Sequence, residues 1–358
     1  MKVKYLDFGQ IWLDYPEAQT EMFKALNRGD MVLREQLKEF EEKFAKFVGT
    51  KYAVGVNSGT DALFLTLKAL GIGPGDEVIT VSNTFVATIQ VIDNIGATPI
   101  LVDVDEDGLM DMKLTQEAIT KKTKAIIPVH LAGDVAEIDL TISPNIHIIE
   151  DACQALGANS PDLGCYSFYP AKLLGSPGDG GAVVTNDKKI YEELLKLRNH
   201  YLIGKASMGE GKSFDENETY KFGYNSRLDN GYAAFLSKKL DRLKDDTYIR
   251  KHIARTYDEA FSTLPMRLPR MRQVYQDYII RTPRRDELHE FLKDAGIETL
   301  GADQMSPHRF PGLGLDHYHL PITDEIFEQS LRLPCNQFLV EKEVEYIISK
   351  VKEFYETM

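Results

Sequence analysis

Cysteine is scarce in this sequence. Cys153, Cys165 and Cys335 form neither a CxxC pair nor the spacing of a zinc site, so no metal is expected, and a reduced cytoplasm is the expected compartment. Long apolar runs are also missing. No stretch approaches the ~18 uninterrupted residues of a membrane helix, and the opening MKVKYLDFGQ lacks the apolar core of a signal peptide. Basic residues are outnumbered, with 42 Lys+Arg against 55 Asp+Glu and a net charge of -13. Nucleic acids and membrane surfaces both require basic patches, so neither is expected as a partner. No GxGxxG follows the first expected strand, which argues against a nicotinamide-dinucleotide enzyme.

What is present reads as an α/β enzyme. A chain of 358 residues exceeds one simple core and suits a large domain followed by a smaller one. Apolar residues at Leu33, Leu37, Phe40, Phe44 and Phe47 recur every three or four positions and predict a helix over 31–48. Short apolar runs at 53–56, 78–81, 99–104, 125–129, 147–149 and 182–185 are continuous rather than alternating. That is the pattern of a mostly parallel sheet covered by helices on both faces. The expected domains are 1–235 and 236–358, with the N-terminal residues packing on the second. The Gly-, Ser-, Lys- and Glu-rich stretch 205–219 is expected to be a mobile loop.

Three stretches carry chemistry. After the strand at 53–56 comes Asn57-Ser58-Gly59-Thr60, small and hydroxyl residues at a helix start. There, free N–H groups and the helix dipole favour an anion such as phosphate, although Ser and Thr also cap helices with no ligand. In Ile148-Ile149-Glu150-Asp151, a carboxylate ends a buried strand, where α/β sheets place their ligands; Asp151 can meet a ligand cation or simply cap the next helix. In Ser167-Phe168-Tyr169-Pro170-Ala171-Lys172-Leu173, a lysine lies among apolar neighbours. Desolvation there makes its amine a nucleophile, whereas most lysines snorkel to the surface. A phosphate cup, an acid and an amine in this order are the three protein groups that pyridoxal phosphate (PLP) needs.

The same stretches resemble the signatures of a known family, the DegT/DnrJ/EryC1/StrS sugar aminotransferases, which have the aspartate aminotransferase fold (fold type I). They are VNSGTDAL (56–63), GIGPGDEVIT (71–80), TFVAT (84–88), GATPILVDVD (96–105), IEDACQALGA (149–158), SFYPAKLLG (167–175), GDGGAVVTND (178–187) and GYNSRLD (223–229), with LRLP (331–334) further on. By resemblance, Lys172 is the Schiff-base lysine that also moves the proton, and Asp151 pairs with the pyridine nitrogen. Gln154 lies beside the ring hydroxyl, Phe85 stacks on the ring, and Gly59, Thr60 and Ser167 bind the phosphate. Asn225 matches an asparagine that reaches the phosphate from a partner subunit, which implies a homodimer with shared sites. Arg227 is close to it in sequence. His130, His308 and Arg309 are weaker candidates for contact with substrate.

The resemblance implies amino transfer from L-glutamate to a 3-keto or 4-keto deoxysugar carried on dTDP, UDP or GDP, for deoxyaminosugar biosynthesis. PLP sugar dehydratases share the fold but carry histidine at the position of Lys172, and histidine cannot form the imine. A regulatory homologue without catalysis is the other alternative. The chain departs from the family pattern at a few points. The stretches 132–151 and 157–166 are short, Ala132 stands where an aromatic is common, and Asn230-Gly231-Tyr232 follows NSRLD in place of acidic–Leu–Gln. These departures bear on the substrate pocket and the dimer surface.

Overall fold

The computed structural model describes residues 1–138, 145–202, 221–302 and 304–356. Three helices come first: α1 (Phe8–Leu13), α2 (Pro16–Asn27) and α3 (Glu35–Val48). Strands and helices then alternate as β1 (Tyr52–Val56), α4 (Gly59–Ala69), β2 (Glu77–Val81), α5 (Ala87–Asn94), β3 (Thr98–Val102), α6 (Met112–Glu117) and β4 (Thr123–Ile126). Next come β5 (His147–Ile148), β6 (Glu150–Asp151), β7 (Leu163–Ser167), β8 (Gly181–Thr185) and α7 (Lys188–Leu197). The remainder holds α8 (Asn230–Phe261), β9 (Tyr278–Arg281), α9 (Arg285–Asp294), α10 (Pro321–Gln329), β10 (Ser330–Leu333) and α11 (Glu341–Glu356). The expected loop at 205–219 lies outside the described residues.

The expected helix over 31–48 begins later, at Glu35. Leu33 takes a left-handed φ of 52° and cannot continue a helix. The side chain of Asn230 caps the start, accepting the N–H of Leu37 at 3.0 Å and donating to the carbonyl of Asp30 at 3.0 Å. That cap comes from residues nearly two hundred positions away, so no local pattern announces it.

Strands β3-β2-β4-β5 are parallel neighbours, and β1-β8-β7-β6 form a second set in which β8 runs against both its neighbours. Only Ile149 separates β5 from β6. Its N–H reaches the carbonyl of Ile126 at 3.0 Å, and that of Asp151 reaches Pro128 at 2.9 Å. The two sets therefore form one mixed sheet, with β8 alone reversed. Alternate residues of the same strand enter different cores. Val54, Val56 and Val183 pack under α4 and α5, while Ala53, Ala182 and Val184 pack under α3 and the first half of α8. Burial on both faces explains the continuous apolar runs. The C-terminal ends of the parallel strands line up along one edge, where β1 leads to Ser58, β6 ends at Asp151 and β7 ends at Ser167.

A separate core surrounds the antiparallel β9–β10 ribbon and contains Tyr257, Leu288, Leu331, Ile347 and Val351. Val3 joins it through a parallel bridge to Ile297. Helix α8, with 32 residues, is about 48 Å long at 1.5 Å per residue and serves both cores. Leu236, Leu240 and Leu243 pack on the sheet, and Ile253, Tyr257 and Phe261 on the ribbon. The expected boundary after residue 235 falls inside this helix. No described helix is long and apolar enough to cross a membrane.

Candidate active site

Where β1 gives way to α4, Ser58 caps the helix by accepting the N–H of Asp61 at 3.0 Å. The first-turn N–H groups of Gly59 and Thr60 have no helical acceptor, and both residues line a cavity of about 560 Å³. Gly59 is required by close approach: a Cβ there would stand 2.8 Å from Cys153 Sγ and 2.8 Å from the Cβ of Ser167. The Ser167 hydroxyl lines the same space and accepts the N–H of Tyr169 at 3.2 Å.

Asp151 stands beside this cup. It is buried, and its oxygens accept from the Thr88 hydroxyl at 2.8 Å and the Cys153 N–H at 3.2 Å. Thr84 backs Thr88 at 2.8 Å. Among the described residues no cationic side chain forms an ion pair with Asp151, although it lines the cavity. A buried carboxylate without a cation is costly and calls for a positive ligand group. Burial and the Asp151 charge push the Cys153 thiol well up, so it stays neutral.

Lys172 is half-buried and lines the same cavity. Its ammonium makes no hydrogen bond or ion pair with described residues, while its N–H reaches the carbonyl of Tyr169 at 2.8 Å. The amine is uncommitted, but the backbone that carries it is held on both sides. Gln276 accepts the N–H of Leu173 at 3.0 Å and donates to the carbonyl of Ala171 at 3.0 Å. Buried Lys239 donates to the carbonyl of Gly175 at 3.0 Å. Phe85 remains 71% exposed on the cavity wall, a bare aromatic face. Gln154 also lines the cavity and accepts the N–H of Ala132 at 2.9 Å.

Gly59, Thr60, Phe85, Asp151, Gln154, Ser167 and Lys172 thus converge on one cavity. Asn225 does not; it is exposed and bridges to Asn199. Arg227 is tied to Asn199 at 3.0 Å, and Arg309 pairs with Asp324. His308 is buried against Ser82 and Asp324, away from this cavity, whereas His130 lines it but is held by Glu150 at 2.7 Å. Sequence reasoning missed the opposite wall, which includes Tyr5, Arg250, Gln276, Asp277 and Arg332. These residues come from separate segments and share no motif. Thr88 was within reach, since it lies in the TFVAT stretch. A larger open groove of about 1050 Å³ runs along α3 and α8 but contains none of the converging groups. The chemistry therefore assigns the site to the smaller cavity. No group of three or more His, Cys, Asp or Glu among the described residues fits a metal ion.

The mixed sheet, the anion-ready helix start, the lone buried carboxylate and the uncommitted lysine define an α/β enzyme of the aminotransferase fold. The DegT/DnrJ/EryC1/StrS aminotransferase family model matches residues 14–352. The chain belongs to that family. It is 37% identical to the dTDP-3-amino-3,4,6-trideoxy-alpha-D-glucose transaminase of Streptomyces venezuelae over 99% of this chain and 97% of that one. It is 35% identical to the pleiotropic regulatory protein of Geobacillus stearothermophilus over 99% of both. Among solved structures, S. venezuelae DesV in complex with a ketimine intermediate superposes with a TM-score of 0.90, at 35% identity and 99% coverage of both chains. The PLP-form of the sugar aminotransferase Spr1654 of Streptococcus pneumoniae has a TM-score of 0.84, at 27% identity, over 95% of this chain and 96% of that one.

Proposed function

We propose that this aminotransferase uses PLP to move an amino group from L-glutamate to the keto carbon of a nucleotide-linked deoxysugar. The observation that carries the reading is the pairing, in one cavity, of a buried carboxylate without a cation and a lysine amine without a partner. Both groups suit PLP, whose pyridine nitrogen is basic and whose aldehyde takes an amine. The name of the Streptomyces relative supports amination at C3 and a dTDP carrier.

Lys172 would hold PLP through its amine, and Gly59, Thr60 and Ser167 would hold its phosphate. Asp151 would hold the ring nitrogen, Gln154 the ring hydroxyl and Phe85 the ring face. Asn225, exposed on the surface, would serve the cavity of a second copy in a homodimer. When bound, the cofactor supplies an electron sink for the carbon that loses its proton. Asp151, fixed by Thr88 and Cys153, keeps the ring nitrogen protonated. Lys172 Nζ takes the proton from one carbon and returns it to another, and Gln276 and Lys239 keep its backbone in range.

The test is the visible spectrum of the purified protein with PLP, before and after L-glutamate. A visible band that bleaches with glutamate and returns with a keto-sugar nucleotide is expected. A band indifferent to glutamate overturns the donor, and no band at all overturns Lys172.

A further inference from the structure

Arg332 lines two cavities: the one just described and an adjoining one of about 70 Å³. One water needs roughly 10–15 Å³, so the smaller space has room for a tetrahedral oxyanion. The pairing of β9 with β10 decides what faces it. Arg281 stands opposite Ser330, and Ile279 opposite Arg332. Residues two apart on a strand share a face. Arg281, Ser330 and Arg332 therefore lie together on the face that lines this space. The two arginines are diagonal neighbours of like charge, which is unfavourable without a counter-ion.

Other arginines around the cavity are matched. Arg267 pairs with Asp107 at 2.8 Å, while Arg270 and Arg272 share Asp134 at 2.8 and 3.0 Å. No carboxylate of the described residues pairs with Arg281, whose side chain donates to the carbonyl of Glu106. Burial and then the neighbouring Arg267 push its guanidinium down, partly offset by the carboxylates of Asp107, Glu325 and Glu106, none of which forms an ion pair with it. The Arg332 guanidinium has no hydrogen-bond or ion-pair partner among the described residues. The buried Ser330 hydroxyl has none either. Two guanidiniums without an ion-pair partner among the described residues and an idle hydroxyl around one small cavity are the components of an anion site.

We propose that Arg281, Ser330 and Arg332 hold a phosphoryl group of the acceptor, which reaches them from the main cavity past Arg332. The proposal rests on the reading of the acceptor as nucleotide-linked. It separates the two tasks of the enzyme: the strand ends perform the chemistry, and the ribbon recognises the carrier.

The test is calorimetric titration of the holoenzyme with inorganic pyrophosphate, UDP and dTDP at constant ionic strength. Arg332→Gln should weaken pyrophosphate and nucleotide binding by about tenfold or more, and Ser330→Ala by about threefold. Arg332→Lys, which keeps the charge but loses the fork, should fall between wild type and Arg332→Gln. Unchanged thermal midpoints exclude misfolding as the cause. Failure of pyrophosphate to bind wild type overturns the site. If nucleotides bind wild type and Arg332→Gln equally well, the site falls while the nucleotide-linked reading stands. If pyrophosphate behaves as expected but neither nucleotide binds, the nucleotide-linked reading falls, and the ribbon's assignment to the acceptor falls with it. A raised KM for glutamate in Arg332→Gln, with pyrophosphate binding unaffected, moves the site to the donor's carboxylate and also overturns the proposal.

Discussion

One wall of the main cavity is made of strand ends and a helix start from the large sheet; the other is made of the β9–β10 ribbon, the second half of α8 and residues near the N-terminus. The sheet wall presents two acids, buried Asp151 and exposed Asp179, one amine and several backbone N–H groups. The ribbon wall presents two arginines, an acid and a brace: Arg250 and Arg332, Asp277 and Gln276. Arg250 is spent on carbonyls of the ribbon wall itself, those of Tyr275 and Gln276 at 3.2 and 3.1 Å. In the proposed function the difference is one of task. The groups proposed for the chemistry stand at the ends of strands buried on both faces, and the groups proposed to select or position stand opposite them.

The largest expected effect lies on the sheet wall. Lys172→Ala should lower transamination by roughly 10⁴-fold or more, since the proposed function makes Lys172 both the covalent anchor and the proton carrier. A steady-state assay checks this, and easily measured turnover would break the division between the walls. Next is Gly59→Ala. The new Cβ crowds Cys153 and Ser167, and overpacking costs about 1–3 kcal/mol. PLP affinity, followed by equilibrium dialysis, should fall about ten- to hundredfold.

Gln276→Ala sharpens the comparison from the other side. It leaves the N–H of Leu173 and the carbonyl of Ala171 unmatched, at roughly 1–3 kcal/mol. We expect kcat to drop about tenfold with PLP affinity nearly intact. An equal loss of both would assign Gln276 to the fold rather than to the position of Lys172.

The last prediction concerns stability rather than turnover, at Lys239, which braces the same loop from α8. Burial pushes its ammonium down from the ordinary 10.5 to about 7, partly offset by Asp246. Between those values the unfolded chain binds a proton that the folded chain does not, so the stability of wild type gains from rising pH. The gain is complete above 10.5 and absent below 7. Denaturant midpoints at pH 7, 8.5 and 10 should rise in wild type relative to Lys239→Met. Parallel curves would show that Lys239 titrates normally.

Much of the sheet wall was legible because each part is local. A strand, a tight turn and a helix start within eight residues suffice to make the cup at Gly59 and Thr60, and the strand that positions Asp151 is the run just before it. The ribbon wall had no such signal. No strand was expected beyond 182–185, yet Tyr278–Arg281 and Ser330–Leu333 are strands, brought together across some fifty residues. Arg332 lay in a recognisable stretch, but nothing there showed that it would face two cavities.

By itself the sequence determined the alternation of strands and helices, the strand ends that carry Gly59, Asp151 and Ser167, and the family, because apolar period, turn residues and short motifs act within a few positions. Only the tertiary structure decided that Asn230 starts α3, that Gln276 and Lys239 brace the Lys172 loop, and that Arg281, Ser330 and Arg332 share one face. Those outcomes depend on strand register and on packing between distant segments, where the free energy belongs to the pair and neither partner's local sequence contains it.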